Sequence, residues 1–212
     1  MTKIKLCGMK RAADIQAANR LKPDYIGFVF AAKSKRYVTP EQAAGLKSIL
    51  DPDISAVGVF VDEAPEAVAE LLNSGVIDIA QLHGSEDEEY LAELRKLTDK
   101  PLIRAFRIRT REDLDAAEKS PADFVLLDAG AGDGKTFDWD LLENFSRPCF
   151  LAGGLDPDNV REAIDRCHPY AVDVSSGIET GGKKDPAKML QFMRQVKVSE
   201  HFTVSNQQTE RS

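Results

Sequence analysis

Eight short, largely apolar runs recur along the chain, and this repetition limits the architectures open to it. They are KIKLC at 3–7, DYIGFVF at 24–30, SAVGVFV at 55–61, DIAQL at 78–82, LIRAF at 102–106, FVLLDA at 124–129, CFLAG at 149–153 and AVDVS at 171–175. Most are near-continuous in apolar residues rather than alternating, as strands covered on both faces are in a parallel sheet. Amphipathic segments with helix-start signals lie between them. Thr39-Pro40-Glu41-Gln42 sets Thr39 at an N-cap with Pro40 at the first helical position, and Asp156-Pro157 and Asp185-Pro186 repeat the device. Thr110-Arg111-Glu112-Asp113 reads as a capping box with Asp in place of Glu. Ser85 precedes an acidic first turn, Glu86-Asp87-Glu88-Glu89, suited to the positive end of a helix dipole.

Eight strand–helix units within 212 residues predict an α/β fold, a single-domain (β/α)8 TIM barrel near its minimum size. A doubly wound open sheet is the main rival, but it rarely holds eight strands without an inserted domain. The barrel is expected over residues 1–197. Residues 198–212 are polar, lack periodicity and read as a flexible tail.

A chain with 42% hydrophobic residues can bury a large core without disulfides or metals. The formal net charge of -7 offers no basic field for nucleic acid or an anionic membrane, so any positive charge that matters is local. The cysteines, Cys7, Cys149 and Cys167, are odd in number and widely spaced. With neither a signal peptide nor a long apolar run, they read as reduced thiols of a cytoplasmic protein. His83, His168 and His201 share no metal-ligand spacing with them, so no metal site is expected.

In a barrel, the loops that follow the strands make one face, and active sites sit there. Strand one ends in Cys7-Gly8 and strand four in His83-Gly84. Strand six ends in Asp128, strand seven in Gly153-Gly154, and strand eight carries Asp173 ahead of Ser175-Ser176-Gly177. Glycine pairs let backbone N–H groups approach an anion closely, and the serines add hydroxyls. Loops after strands seven and eight that lead into a short helix are the usual phosphate cradle of this fold. Gly130–Thr136 has the wrong spacing for a nucleotide P-loop and reads as a covering loop. Other residues are open to two readings. Asp128 can cap a helix or, if desolvated, serve as a general acid. Arg36, beside Lys33 and Lys35, can be a solvated charge or a fork for a carboxylate. His83 can be a rim residue or a ligand contact. Cys149 and Cys167 read as structural. Cys7 can be a small hydrophobe or a reactive thiol.

At this point the motifs resemble a known family. KLCG at 5–8, GFVFAAKSKRYV at 27–38, QLHG at 81–84, LLD at 126–128, GKTFDW at 134–139, LAGGL at 151–155, DVSSGIE at 173–179 and GKKD at 182–185 follow the order found in phosphoribosylanthranilate isomerases. The resemblance runs from Lys3 to about Val196; Leu6 stands where Ile is usual, and the polar tail is extra. It implies an Amadori rearrangement of N-(5-phosphoribosyl)anthranilate, without a cofactor, on a small phosphoribosyl substrate. It further implies Cys7 as general base, Asp128 as general acid and Arg36 on the anthranilate carboxylate. Gly153, Gly154, Ser175, Ser176 and Gly177 would fall in the phosphate loops, with Asp173 and His83 near the ribose. A monomer is the default expectation. Ribulose-phosphate epimerases would want metal-binding histidines at strand ends, and indoleglycerol-phosphate synthase a strand-end lysine. A phosphate-binding module without chemistry should lack the base or the acid, and both are present here.

Overall fold

The apolar runs pair in sequence order. In the computed structural model, which describes residues 1–128, 139–142 and 145–209 (140, 141 and 198–209 by backbone only), β1 (Lys3–Cys7) lies beside β2 (Tyr25–Val29). Next come β3 (Ser55–Phe60), β4 (Ile79–Leu82), β5 (Leu102–Arg107), β6 (Phe124–Asp128), β7 (Cys149–Ala152) and β8 (Ala171–Val174), all parallel. β8 returns to β1, with Lys3 opposite Ala171 and Lys5 opposite Asp173, so the sheet closes into an eight-stranded barrel. That closure excludes the open doubly wound sheet.

Helices α1 (Ala12–Leu21), α2 (Pro40–Lys47), α3 (Pro65–Asn73), α4 (Glu88–Leu97), α5 (Arg111–Lys119), α6 (Val160–Cys167) and α7 (Pro186–Thr209) accompany the strands. The unit after β6 departs from the pattern: its described part is a 3-10 turn, Trp139–Leu142, rather than an α-helix. The Gly130–Thr136 stretch lies outside the described residues. A hairpin of two short strands, β9 (Glu179–Thr180) and β10 (Lys183–Lys184), follows a 3-10 turn at Ser176–Ile178.

The capping chemistry holds at Thr39, whose hydroxyl accepts from the Gln42 N–H while Gln42 returns the bond, and at Thr110 with Asp113. Asp185 accepts from the Ala187 and Lys188 N–H groups at the start of α7. Two start signals act differently. Asp156 and Pro157 make a turn in which the Asp156 carboxylate accepts from Asp158 and Asn159, and α6 begins only at Val160. Asp87, not Ser85, caps α4, because Ser85 is taken up by Asp62. The helix of α7 continues to Thr209, past Val198, where the sequence pattern placed the start of a tail. No helix among the described residues is long and apolar enough to cross a membrane.

Alternation along each strand makes two cores. Ile4, Leu6, Ile26, Phe28 and Phe60 face the helices. Val57, Ile79, Ile103, Leu126, Phe150 and Ala171 fill the barrel. The strand beginnings supply a plug of rings: Phe124 stacks on Tyr170, Phe150 meets both edge-on, and the Tyr25 and Tyr170 hydroxyls lie 3.1 Å apart. Aromatic pairs of this kind contribute about 0.5–1.5 kcal/mol beyond the area they bury. The opposite end of the barrel is left to a polar layer.

Candidate active site

Strand period two decides what β1 sends inward. Ile4 and Leu6 face the helices, so Lys5 and Cys7 point into the barrel. Gly8, at φ +82, then turns the chain, and its N–H and that of Met9 both donate to the Gly27 carbonyl. Cys7 lies opposite Gly27 of β2, and a Cβ built there would stand 2.6 Å from Sγ, so only glycine leaves space for the thiol. Burial pushes the Cys7 thiol up; the ammonium of Lys5 opposes this and the Asp173 carboxylate reinforces it.

Lys5 has no exposed surface and donates to Asp173 Oδ2 at 2.8 Å. Burial pulls its ammonium down, but Asp173 and Cys7 outweigh that and leave it above its ordinary value. Asp173 Oδ1 is buried and finds no hydrogen-bond partner among the described residues.

At the mouth, β4 and β6 contribute a second chain of contacts. The Gln81 side-chain amide donates to His83 Nδ1 at 2.9 Å, and His83 Nε2 stands 3.1 Å from Asp128 Oδ2. With Nδ1 accepting, the ring proton sits on Nε2 and is directed at the Asp128 carboxylate.

Loops after β7 and β8 meet closely. Gly153 (φ +96) and Gly154 (φ +69) adopt left-handed backbone that β-carbon-bearing residues resist. A Cβ on Gly177 would stand 2.1 Å from the Leu155 carbonyl oxygen, so the two loops touch only because residue 177 is bare.

Arg36 is not a solvated charge. Its Nε and Nη2 donate to the two oxygens of Glu179 at 2.7 and 2.9 Å, and its stem lies over Gly8. Glu179 also accepts from the buried Lys184 at 2.7 Å, and Lys184 donates to the Ser175 carbonyl at 2.8 Å. Burial pushes the Glu179 carboxyl up, but hydrogen bonds from Arg36 and Lys184 prevail and hold it at about 2. Lys33 and Lys35 are exposed.

A cavity of about 230 Å³ gathers Cys7, His83, Asp128 and Asp173 with Gly153, Gly154, Ser175 and Ser176. Arg36 and Gly177 stand beside this lining rather than in it. Cys149 and Cys167 lie together at another cavity, by Arg147 and Tyr170. Larger grooves of about 510 and 570 Å³ run between α2 and α3 and between α4 and α5. Among the described residues, no group of three or more His, Cys, Asp or Glu is placed to hold a metal ion. Sequence reading missed Lys5, Gln81, Glu179 and Lys184. The signal for Lys5 was present, since an inward lysine two residues before an inward cysteine shares its face.

A family model described as N-(5'phosphoribosyl)anthranilate (PRA) isomerase matches residues 4–195. The chain is 45% identical over 199 residues to N-(5'-phosphoribosyl)anthranilate isomerase of Endomicrobium trichonymphae, covering 92% of this chain and 98% of that protein. It is similar to the crystal structure of phosphoribosyl anthranilate isomerase from Thermotoga maritima, with TM-score 0.85, 37% identity, and coverage of 93% of this chain and 99% of that one. A phosphoribosyl anthranilate isomerase in complex with reduced 1-(o-carboxyphenylamino)-1-deoxyribulose 5-phosphate matches with TM-score 0.83 and 36% identity, over 93% of this chain and 99% of that one.

Proposed function

The chain belongs to the phosphoribosylanthranilate isomerase family, enzymes of tryptophan biosynthesis, and on that premise we propose how its own residues carry the reaction. Cys7 is the general base and Asp128 the general acid of the conversion of N-(5-phosphoribosyl)anthranilate to 1-(2-carboxyphenylamino)-1-deoxyribulose 5-phosphate. The observation that carries this assignment is their shared cavity, which Gly153, Gly154, Ser175 and Ser176 of the loops after β7 and β8 also line.

The furanose ring must first open. Protonated Asp128 gives its proton to the ring oxygen, and the aniline nitrogen's lone pair forms the C1′–N double bond. The Schiff base acidifies the C2′ hydrogen, which the Cys7 thiolate removes to give an enolamine. Ketonisation then places one proton on C1′ and takes one from the C2′ hydroxyl, which restores the proton count of the pair. His83, fixed by Gln81, orients the Asp128 carboxylate between these transfers. Gly153, Gly154, Ser175 and Ser176 hold the phosphate, with Gly177 permitting their approach, and this remote binding fixes the reacting carbons. Arg36, held by Glu179, presents its remaining donors to the anthranilate carboxylate. Asp173 Oδ1 accepts from a ribose hydroxyl. The same reading takes residues 1–197 as the catalytic unit of a cytoplasmic monomer and 198–212 as an appended tail.

The test follows fluorescence decay of phosphoribosylanthranilate generated in situ. Wild-type protein accelerates the decay, and Cys7→Ala and Asp128→Asn each lose about 10²–10⁴-fold in kcat. Decay that survives Cys7→Ala removes the thiolate base. No acceleration by the wild type removes the whole reading.

A further inference from the structure

Lys5 is an expensive residue where it stands. Inside a barrel otherwise packed with Val57, Ile79, Ile103, Leu126 and Phe150, it is fully buried and charged. A lone buried ammonium costs several kcal/mol, and a buried ion pair is rarely better for stability than apolar residues of similar volume. Packing therefore gives no reason for a lysine. Its position does. Residues i and i+2 of a strand share a face roughly 6–7 Å apart, so Lys5 stands on the same inward face as Cys7, with its ammonium held at Asp173 across the β1–β8 pairing. The opposite end of the arrangement is Asp173, level with Lys5 on β8, which ties up one donor of the ammonium and places a negative charge by the same thiol.

We propose that Lys5 is a positioning residue whose ammonium offsets part of the cost of ionising the buried Cys7 thiol, and that Asp173 limits how much by sharing that ammonium. This rests on Cys7 being the base, but it concerns the thiol itself and can be tested without turnover. Two influences act in opposite directions. Removing the cation should leave a thiol that resists ionisation. Removing the carboxylate while keeping the cation should leave one that ionises more readily. Other charged or titratable groups around the thiol are Lys184 of β10, Arg36 after β2, His83 after β4 and Asp128 of β6. All are left in place by the two changes.

The experiment measures iodoacetamide alkylation of Cys7 against pH, resolved from Cys149 and Cys167 by peptide mass, in wild type, Lys5→Met and Asp173→Asn. In Lys5→Met the profile moves up, and alkylation near neutral pH slows about tenfold or more, since each pH unit of displacement is a factor of ten in thiolate. In Asp173→Asn it moves down and alkylation speeds up. Circular dichroism and thermal melting certify the fold. If Lys5→Met does not fold, the double variant Lys5→Met/Asp173→Asn removes both charges, and its profile must lie above that of Asp173→Asn. Profiles that stay with the wild type, or that move in the same direction for both single variants, overturn the proposal. Activity of Cys7→Ala is the separate check on the base. A displaced alkylation profile with an active Cys7→Ala keeps this inference and removes the role in catalysis.

Discussion

Cys7 is held by what its neighbours lack. Gly27 gives the sulfur its space, and a Cβ there would close to 2.6 Å from it. Gly27→Ala must therefore push the thiol out of line while leaving the loops after β7 and β8 untouched. We expect kcat to fall on the order of 10²-fold, the scale of a misplacement of about 1 Å, with KM little changed. Overpacking adds about 1–3 kcal/mol of destabilisation, which a urea titration reads separately. Steady-state kinetics with KM falling apart as badly as kcat would show that the glycine serves the cradle instead. At this scale the sequence was only partly legible. Cys7, His83 and Asp128 sit at strand ends, where a barrel makes chemistry predictable. Lys5, Glu179 and Lys184 were passed over because a charge in a sequence is read as solvated; Lys5 shares its strand face with Cys7, but for Glu179 and Lys184 only three-dimensional pairing reveals the burial.

The β9–β10 hairpin acts as a brace. Glu179 on one strand and Lys184 on the other are bonded to each other, and each reaches onward, Glu179 to Arg36 and Lys184 to Ser175. One short element thus joins the loop after β2 to the loop after β8. The Glu179 carboxyl is held at about 2 against an ordinary 4.5, so the folded state binds fewer protons here than the unfolded chain does. A depressed carboxyl contributes stability that is fully present above its unfolded value and is lost as pH falls toward 2. Glu179→Gln should flatten that part of the profile, so that thermal melting changes less between about pH 4.5 and 2 than in the wild type. It should also raise KM by freeing Arg36. Equal pH slopes in the two proteins would contradict the brace. Among elements, the strands were legible because their apolar runs are long and bounded. The caps at Thr39, Thr110 and Asp185 were legible because a side-chain acceptor stands before the first turn. Asp156 misled because its carboxylate serves a turn equally well, and helix and turn begin with the same hydrogen bonds.

Seen whole, the barrel closes on itself, and the β1–β8 pairing leaves the barrel sheet without a free edge to recruit a neighbour. The mass in solution is accordingly expected to be that of one chain, 23.3 kDa, by sedimentation equilibrium, and a species of twice that mass would refute it. The fold class was legible from the count and spacing of the runs. Which side of each strand faces inward was not, because both sides are apolar and only the register across eight strands separates the two cores. The ring plug of Tyr25, Phe124, Phe150 and Tyr170 has a consequence for traffic. A vessel stoppered at one end has a single doorway, so the ketose must leave by the path the next ribosylamine needs. Arrivals and departures share one queue, so added product is expected to compete with substrate for the doorway without altering any step inside.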